Sequence, residues 1–498
     1  MKVTVDASRK VCKYEDPTRW QCSTLRYSPP EDFPAYMEKV IGRPLVHRAF
    51  ITLDEYWDIK TDTYHPDYEI GVLRYPVEEL HYPYDWAYIV PAPTGTRFEA
   101  YLSSHSKSSE TIMLNVRRLE REVLDGVITF EKYGEVLENA ILYSLSLAPN
   151  IRYIEVGNET NAKSFGLLTP EEFAKLYVYA HKVIEKINRE HPEREPLLIG
   201  GISVAGALQN WSYHEKCLRL LAQTEIGDKP MDYYSLHHYD TNSSIRLILN
   251  GRADLGNLGG VEKLRVLMQR HHSLLRELGL PDAPVFLNEA GKCRATANPG
   301  DSLINACAIV TYLIGVATGA LGEMRVFPWC TFHNPEKQIS YTQFTLRDDG
   351  TYAATPNAYA IRMLHRISGD IVEYTVDSTY GPDIPYRAIA VRDGDELDVV
   401  AANPVDAVQS MTLEVHGLDD GEYAITFHTV DATQNNCVTG TGDGGPYLSC
   451  TRRGKFTVSG DKYSVTVPLR DNAFTLIRIK KVEAEPAEVR TSTDIIED

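Results

Sequence analysis

RYIEVGNE (residues 152–159) and PVFLNEAG (residues 284–291) decide the reading of this chain. Each is a short apolar run, bounded by turn-formers, of the kind that makes a strand buried on both faces. Each ends by delivering an asparagine–glutamate pair, Asn158-Glu159 and Asn288-Glu289. In a barrel of parallel strands the reactive side chains stand at the C-terminal strand ends. Two carboxylates held across a sugar-sized gap are the equipment for cleaving a glycosidic bond through a covalent intermediate. The two stretches therefore predict a barrel that works as a retaining glycoside hydrolase.

Outward from these stretches, strand-like and helix-like segments alternate. VTVDAS, RPLVHRAFITL, TIMLNVRR, RYIEVGNE, PLLIGGISVAG, MDYYSLHHYD, PVFLNEAG and MRVFPWCTFHN read as strands in that order. Amphipathic helices such as FEKYGEVLENAILYSLSLA and TPEEFAKLYVYAHKVIEKINREH lie between them, the latter opened by a Thr-Pro-Glu-Glu cap. Eight such units make a (β/α)8 TIM barrel over residues 1–370. A Tyr- and Pro-rich connection from Asp54 to Glu110 is long enough to be functional or to carry small elements of its own. After the helix in ATPNAYAIRMLHRISG the period changes to short alternating strands separated by Gly-Asp turns. This predicts an antiparallel β-sandwich over 371–482, followed by a charged tail at 483–498.

A chain of 498 residues has room for both domains. Its formal net charge of −18 disfavours nucleic acid and anionic membrane surfaces as partners. No stretch reaches the run of about 20 apolar residues that a membrane span needs. MKVTVDAS carries no basic-then-apolar leader, so a cytoplasmic location is expected unless a leader has been removed. The cysteines, without a CxxC pair, read as reduced thiols, although Cys437 and Cys450 flank a Gly-rich loop and could bridge in an oxidising compartment. The His237, His238 and Asp240 group lacks a companion cluster of ligand spacing, so no metal is expected, and no nucleotide cofactor is implied.

Side chains alternate along a strand. His237 and Tyr239 therefore share a face of MDYYSLHHYD and are placed toward the site, with His238 on the other face. Glu155, Gly157 and Glu159 share a face of RYIEVGNE. No role is assigned to Asn288.

With Asn-Glu ending the fourth strand and a glutamate ending the seventh, the chain resembles clan A glycoside hydrolases. VHRAF, YPYDWAYI, LIGGISVAG, the His-x-Tyr of HHY and the TPNAYAIRMLHRISG helix resemble segments of glycoside hydrolase family 39, the β-xylosidase and α-L-iduronidase family. The resemblance implies Glu289 as nucleophile and Glu159 as acid/base. It implies Arg48 and Tyr239 as groups that hold Glu289, and Asn158 and His237 as contacts to sugar hydroxyls. Trp329 would be the floor beneath the sugar ring. That family usually has Trp-Asn-Glu-Pro where this chain has Gly157, Asn158, Glu159 and Thr160, a pattern closer to clan A enzymes acting on arabinofuranosides or glucuronides. The expected substrate is a glycoside or small oligosaccharide cleaved from its end, with a pentoside such as a β-xyloside favoured. An α-L-arabinofuranoside, a uronide, a transglycosylase and a catalytically silent carbohydrate-binding protein on the same fold are the alternatives. Association into a homo-oligomer is left open.

Overall fold

The first strand, β1 (Lys2–Lys13), buries Val3, Val5 and Ala7 on one face and exposes much of the other. That half-buried alternation suits a sheet with one solvated face, whereas a barrel strand is covered on both. The structure, a computed structural model, accordingly puts β1 in the accessory sheet, where it pairs antiparallel with Asp370–Asp377 and parallel with Gln409–His416. This corrects the sequence reading of VTVDAS as the first barrel strand and of residues 1–370 as one barrel unit. The structure describes all residues except 24–31, 73–94, 241–257, 293–297, 333–338, 380, 382, 461 and 483–498. The expected tail and the YPYDWAYI segment lie outside the described residues.

The barrel begins instead at β2 (Trp20–Cys22). It continues with β3 (Val46–Thr52), β4 (Thr111–Arg117), β5 (Ile151–Val156), β6 (Leu198–Val204), β7 (Tyr233–Tyr239), β8 (Val285–Gly291) and β9 (Met324–Pro328). These eight strands form one parallel sheet in chain order. A parallel bridge between Cys22 and Trp329 brings β2 against the end of β9 and closes the ring. The ordinal positions of the two glutamate strands are unchanged: β5 is fourth and β8 seventh in the barrel.

Helices Phe33–Ile41, Phe98–Ser108, Phe130–Leu147, Pro170–Glu190, Trp211–Leu221, Gly260–Leu278, Pro299–Ala317 and Pro356–His365 follow the strands in turn. The Pro170–Glu190 helix has the capping box its sequence announces, Thr169 and Glu172 each accepting from the other's backbone N–H. Phe98–Ser108 lies inside the Asp54–Glu110 connection, an element of its own of the kind that its length allowed. Its buried Phe98, Tyr101, Leu102 and His105 keep helical spacing, a signal masked by the Tyr- and Pro-rich composition around it. Pro299–Ala317 is long and apolar enough to cross a membrane by length and composition, and most of it is buried against Pro356–His365 and the accessory sheet.

The accessory domain adds β10 (Asp370–Asp377), β11 (Ala388–Asp393), β12 (Glu396–Ala402), β13 (Gln409–His416), β14 (Gly421–Val430), β15 (Arg452–Val458), β16 (Lys462–Leu469) and β17 (Phe474–Lys481). With β1 they form a nine-stranded sheet, mixed through the β1–β13 pair. One face encloses Val3, Val5, Leu397, Leu413, Phe427 and Ile477, the interior of the sandwich. The other, with Ile389, Val400 and Leu476, joins the barrel's outer core. Cys437 and Cys450 are free thiols.

Candidate active site

The barrel interior is layered, and each layer is set by which side chains of β3 to β9 point inward. A hydrophobic layer of Val46, Met113, Tyr233, Phe286 and Phe327 fills the bottom. Above it sits Glu155, fully buried on β5. Its Oε2 accepts from Arg48 Nε at 2.7 Å and from Asn115 Nδ2 at 2.7 Å. Its Oε1 accepts from Ser203 Oγ at 2.6 Å and from Asn288 Nδ2. Burial alone would raise its pKa, but the Arg48 guanidinium, His237 and the serine hydroxyls outweigh that and hold the carboxyl down to about 2.

Two irregularities build this cradle. The β6–β7 register shifts between Ile202 and Val204, and the β8–β7 register shifts between Leu287 and Glu289. In each case one extra residue is admitted, Ser203 and Asn288, and its side chain is turned onto Glu155. The shift at Asn288 also lets consecutive residues serve the interior: Asn288 faces Glu155 and Glu289 faces the mouth. Strict alternation along the strand would have sent one of them outward.

Past the end of β5 the backbone turns left-handed at Gly157 (φ 75°) and again at Glu159 (φ 50°). A side chain at Gly157 would be strained there, and its Cβ would meet Thr160 Cγ2 at 2.7 Å. Glycine at this position, the departure from the family 39 pattern, is thus what this local path requires. The turn is pinned by Glu159 N–H donating to Ser203 O at 2.9 Å and by Asn115 Nδ2 donating to Gly157 O at 2.6 Å.

The upper layer holds the groups that can react. Arg48, fully buried, spans both layers: Nη1 donates to Glu289 Oε1 and Nη2 to Asn158 Oδ1, each at 2.7 Å. Burial opposes its charge, but Glu155, Cys22 and Glu289 raise its pKa well above the ordinary value, so it stays a cation. Tyr239 Oη donates to Glu289 Oε2 at 2.9 Å. Burial and the neighbouring Glu289 push the phenol well up, fixing it as a donor. His237 Nδ1 lies 2.9 Å from Glu159 Oε1 and 3.6 Å from Glu289 Oε2. Burial lowers its pKa, but the two carboxylates more than compensate and the net shift is upward. Oxygens of Glu159 and Glu289 lie within 4.8 Å of each other, with His237 between them.

The sequence-derived residues thus fall into three groups. Arg48, Asn158, Glu159, His237, Tyr239 and Glu289 come together in one hydrogen-bonded cluster at the C-terminal end of the barrel. His237 spends its Nδ1 on the two carboxylates rather than on a sugar hydroxyl, and its ring is fully buried. Trp329 stands at the end of β9, its ring edge-on to Phe50 at 6.3 Å. His238 faces away from the cluster, as alternation predicts; burial drives its pKa down to about 4. The supporting residues Asn115, Ser203 and Ser235 carry no motif, and Asn288, which precedes Glu289 in one, had no role assigned to it. Only the shared face of Glu155 and Glu159 hinted at a second layer.

Glu159, His237 and Glu289 are also spaced as a metal site would be. The donor set fits that role poorly, because both oxygens of Glu289 already accept from Arg48 and Tyr239. A cation there would face the guanidinium.

No protein-family model matches this sequence, and no curated protein matches it. Solved structures match it along nearly its whole length. A glucosidase from Croceicoccus marinus has a TM-score of 0.61 at 15% identity, over 97% of this chain and 99% of its own. A monomeric β-xylosidase from Caulobacter crescentus gives 0.62 at 13%, over 97% and 99%. A family 39 glycoside hydrolase from Xanthomonas axonopodis pv. citri gives 0.60 at 15%, over 97% of both chains. The fold is shared with these glycoside hydrolases, barrel and sandwich together.

Proposed function

We propose that this protein is a retaining glycoside hydrolase. The observation that carries the reading is the pair Glu159 and Glu289, with oxygens within 4.8 Å of each other at the C-terminal end of the barrel. Retaining enzymes hold their two carboxyl groups about 5–5.5 Å apart, while inverting ones leave room for a water between them.

In this reading Glu289 is the nucleophile. Arg48 and Tyr239 orient it by donating to its two oxygens. One of its oxygens bonds to the anomeric carbon as the glycosidic C–O bond breaks, giving a glycosyl ester. Glu159 supplies the proton that the leaving oxygen takes up. His237 occupies Glu159 Oε1, which leaves the other oxygen to face substrate. Glu159 then accepts a proton from water, whose oxygen attacks the anomeric carbon and releases Glu289. Asn158, its carbonyl oxygen fixed by Arg48, keeps its amide donors for a sugar hydroxyl.

The resemblance to family 39 and the β-xylosidase among the structural neighbours favour a terminal pentoside, such as a β-xyloside, removed from the end of a small oligosaccharide. A panel of nitrophenyl pentosides, hexosides and uronides tests the activity, with the anomer of the first product followed by NMR. The expected product keeps the substrate's configuration. Inverted product, or no turnover anywhere in the panel, would sink the reading.

A further inference from the structure

Two arginines end β4, and their surroundings differ. Arg118 is tied to Asp54 at 2.9 Å. The Arg117 side chain makes no hydrogen bond or ion pair among the described residues, and its Nε is buried without a partner. Alternation along β4 puts Arg117 on the inward face with Met113 and Asn115, one step above the Glu155 layer. Its guanidinium lies over the Phe50 ring at 5.0 Å and over the Phe165 ring at 6.0 Å. Phe50 is the residue against which Trp329 packs, and Phe165 follows Glu159 on the same loop. Stacking on aromatic faces holds the plane of a guanidinium and leaves its in-plane N–H fork open. The charged groups that face it are Arg118, Glu55, Arg48 and Glu289. Burial and the two arginines pull its pKa down to about 10, still cationic at neutral pH.

A half-buried cation that, among the described residues, has no carboxylate within ion-pair distance is costly unless a ligand supplies the charge. We propose that Arg117 binds an anionic substituent of the sugar in the pocket, making the substrate an acidic glycoside. This rests on the glycosidase reading and puts an acidic glycoside in place of the plain pentoside. A glucuronoside is a xyloside ring bearing a carboxylate on C5, and that carboxylate matches the guanidinium fork. A sulfate ester on the same ring offers similar chemistry. With a net charge of −18, the protein repels anions at long range, so such a substrate needs a local cation of this kind.

The test compares nitrophenyl β-xyloside, β-glucuronide and a sulfated β-xyloside on the wild-type enzyme, Arg117→Leu and Arg117→Lys. The readout is the ratio of kcat/KM for each charged substrate to that for the xyloside, because a loss of folded enzyme cancels from it. The wild type should favour one charged substrate by about 10- to 100-fold. The preference should fall on KM, since the contact does not change as the bond breaks, and should weaken as salt is raised. Arg117→Leu should bring the ratio near one, and Arg117→Lys should retain part of it. Calorimetry with a piperidine iminosugar and its carboxylated counterpart reads the same preference without turnover. A wild-type ratio near one, or one that Arg117→Leu leaves intact, overturns the Arg117 assignment alone. Absence of both turnover and iminosugar binding overturns the glycosidase reading, and this inference with it.

Discussion

Glu155 and Glu159 lie on one segment and both turn toward the barrel axis, yet their surroundings are opposite. Glu155 has no exposure and takes hydrogen bonds from Arg48, Asn115, Ser203 and Asn288, so every favourable direction around its oxygens is filled. Among the described residues Glu159 has a single side-chain partner, His237, and its side chain is 18% exposed. A carboxylate saturated with donors is locked in its ionised form and has no route for a proton. A carboxylate with one partner and an open side can give and take one. Arg48 touches Glu155 and Glu289 directly and fixes the neighbour of Glu159, so the lower glutamate acts as the anchor for the upper pair.

The largest effect should come from the pair that Glu155 anchors. Glu289→Ala should bring turnover of every glycoside to the detection limit. Arg48 keeps Glu155 as a counter-ion, so the variant should still fold. Added azide should restore activity and give a glycosyl azide of inverted configuration, read by NMR. Glu159→Ala should cost about 10²- to 10⁴-fold on poor leaving groups and little in the first step on dinitrophenyl glycosides, which need no proton. Azide should then yield a product of retained configuration. The opposite pairing of configurations would mean the two roles are exchanged.

The anchor should behave differently. Glu155→Ala leaves a buried guanidinium short of a charge, and loss of one partner of a buried pair costs about 3–5 kcal/mol. The expected result is a large fall in Tm. The carboxyl is held at about 2, below its ordinary 4.5, so its stabilisation is complete above pH 4.5 and is lost as the pH falls toward 2. In acid titrations followed by circular dichroism, Glu155→Gln should flatten stability against pH over that window. An unchanged slope would mean that the Glu155–Arg48 pair does not set acid stability.

This contrast also marks where sequence reasoning stops. The reacting pair was legible because the apolar runs around Glu159 and Glu289 have the length and flanks of barrel strands, and because alternation separates His237 from His238. The anchor was legible only through the face that Glu155 shares with Glu159. Its donors Ser203 and Asn288 enter through register shifts, which change the inward-facing set without changing composition. The misplaced first strand has a related cause. Both VTVDAS and Trp20–Cys22 offer apolar residues, and only the tertiary pairing of β1 with β10 and β13 assigns VTVDAS to the outer sheet. One-face alternation in β1, set against the continuous apolar runs of the inner strands, was the available clue.

The smallest effect tests whether the two layers are separable. Ser203 Oγ donates to Glu155 Oε1 at 2.6 Å and lies 2.9 Å from Ser235 Oγ. Ser203→Ala removes one of the four hydrogen bonds described above and leaves Ser235 without that neighbour. A hydrogen bond to a charged group is worth about 1.5–3 kcal/mol in isolation. Arg48, Asn115 and Asn288 remain, so the loss should fall at the lower end, near 1.5 kcal/mol. Chemical denaturation should register it as a lower midpoint with an unchanged slope. Ser203 touches neither Glu159 nor Glu289 through its side chain, so kcat/KM per folded molecule should stay within about twofold, a change under 0.5 kcal/mol. If activity instead drops as far as in Glu159→Ala while stability holds, the charge on Glu155 takes part in the reaction. The division into an anchor and a reacting pair would then have to be abandoned.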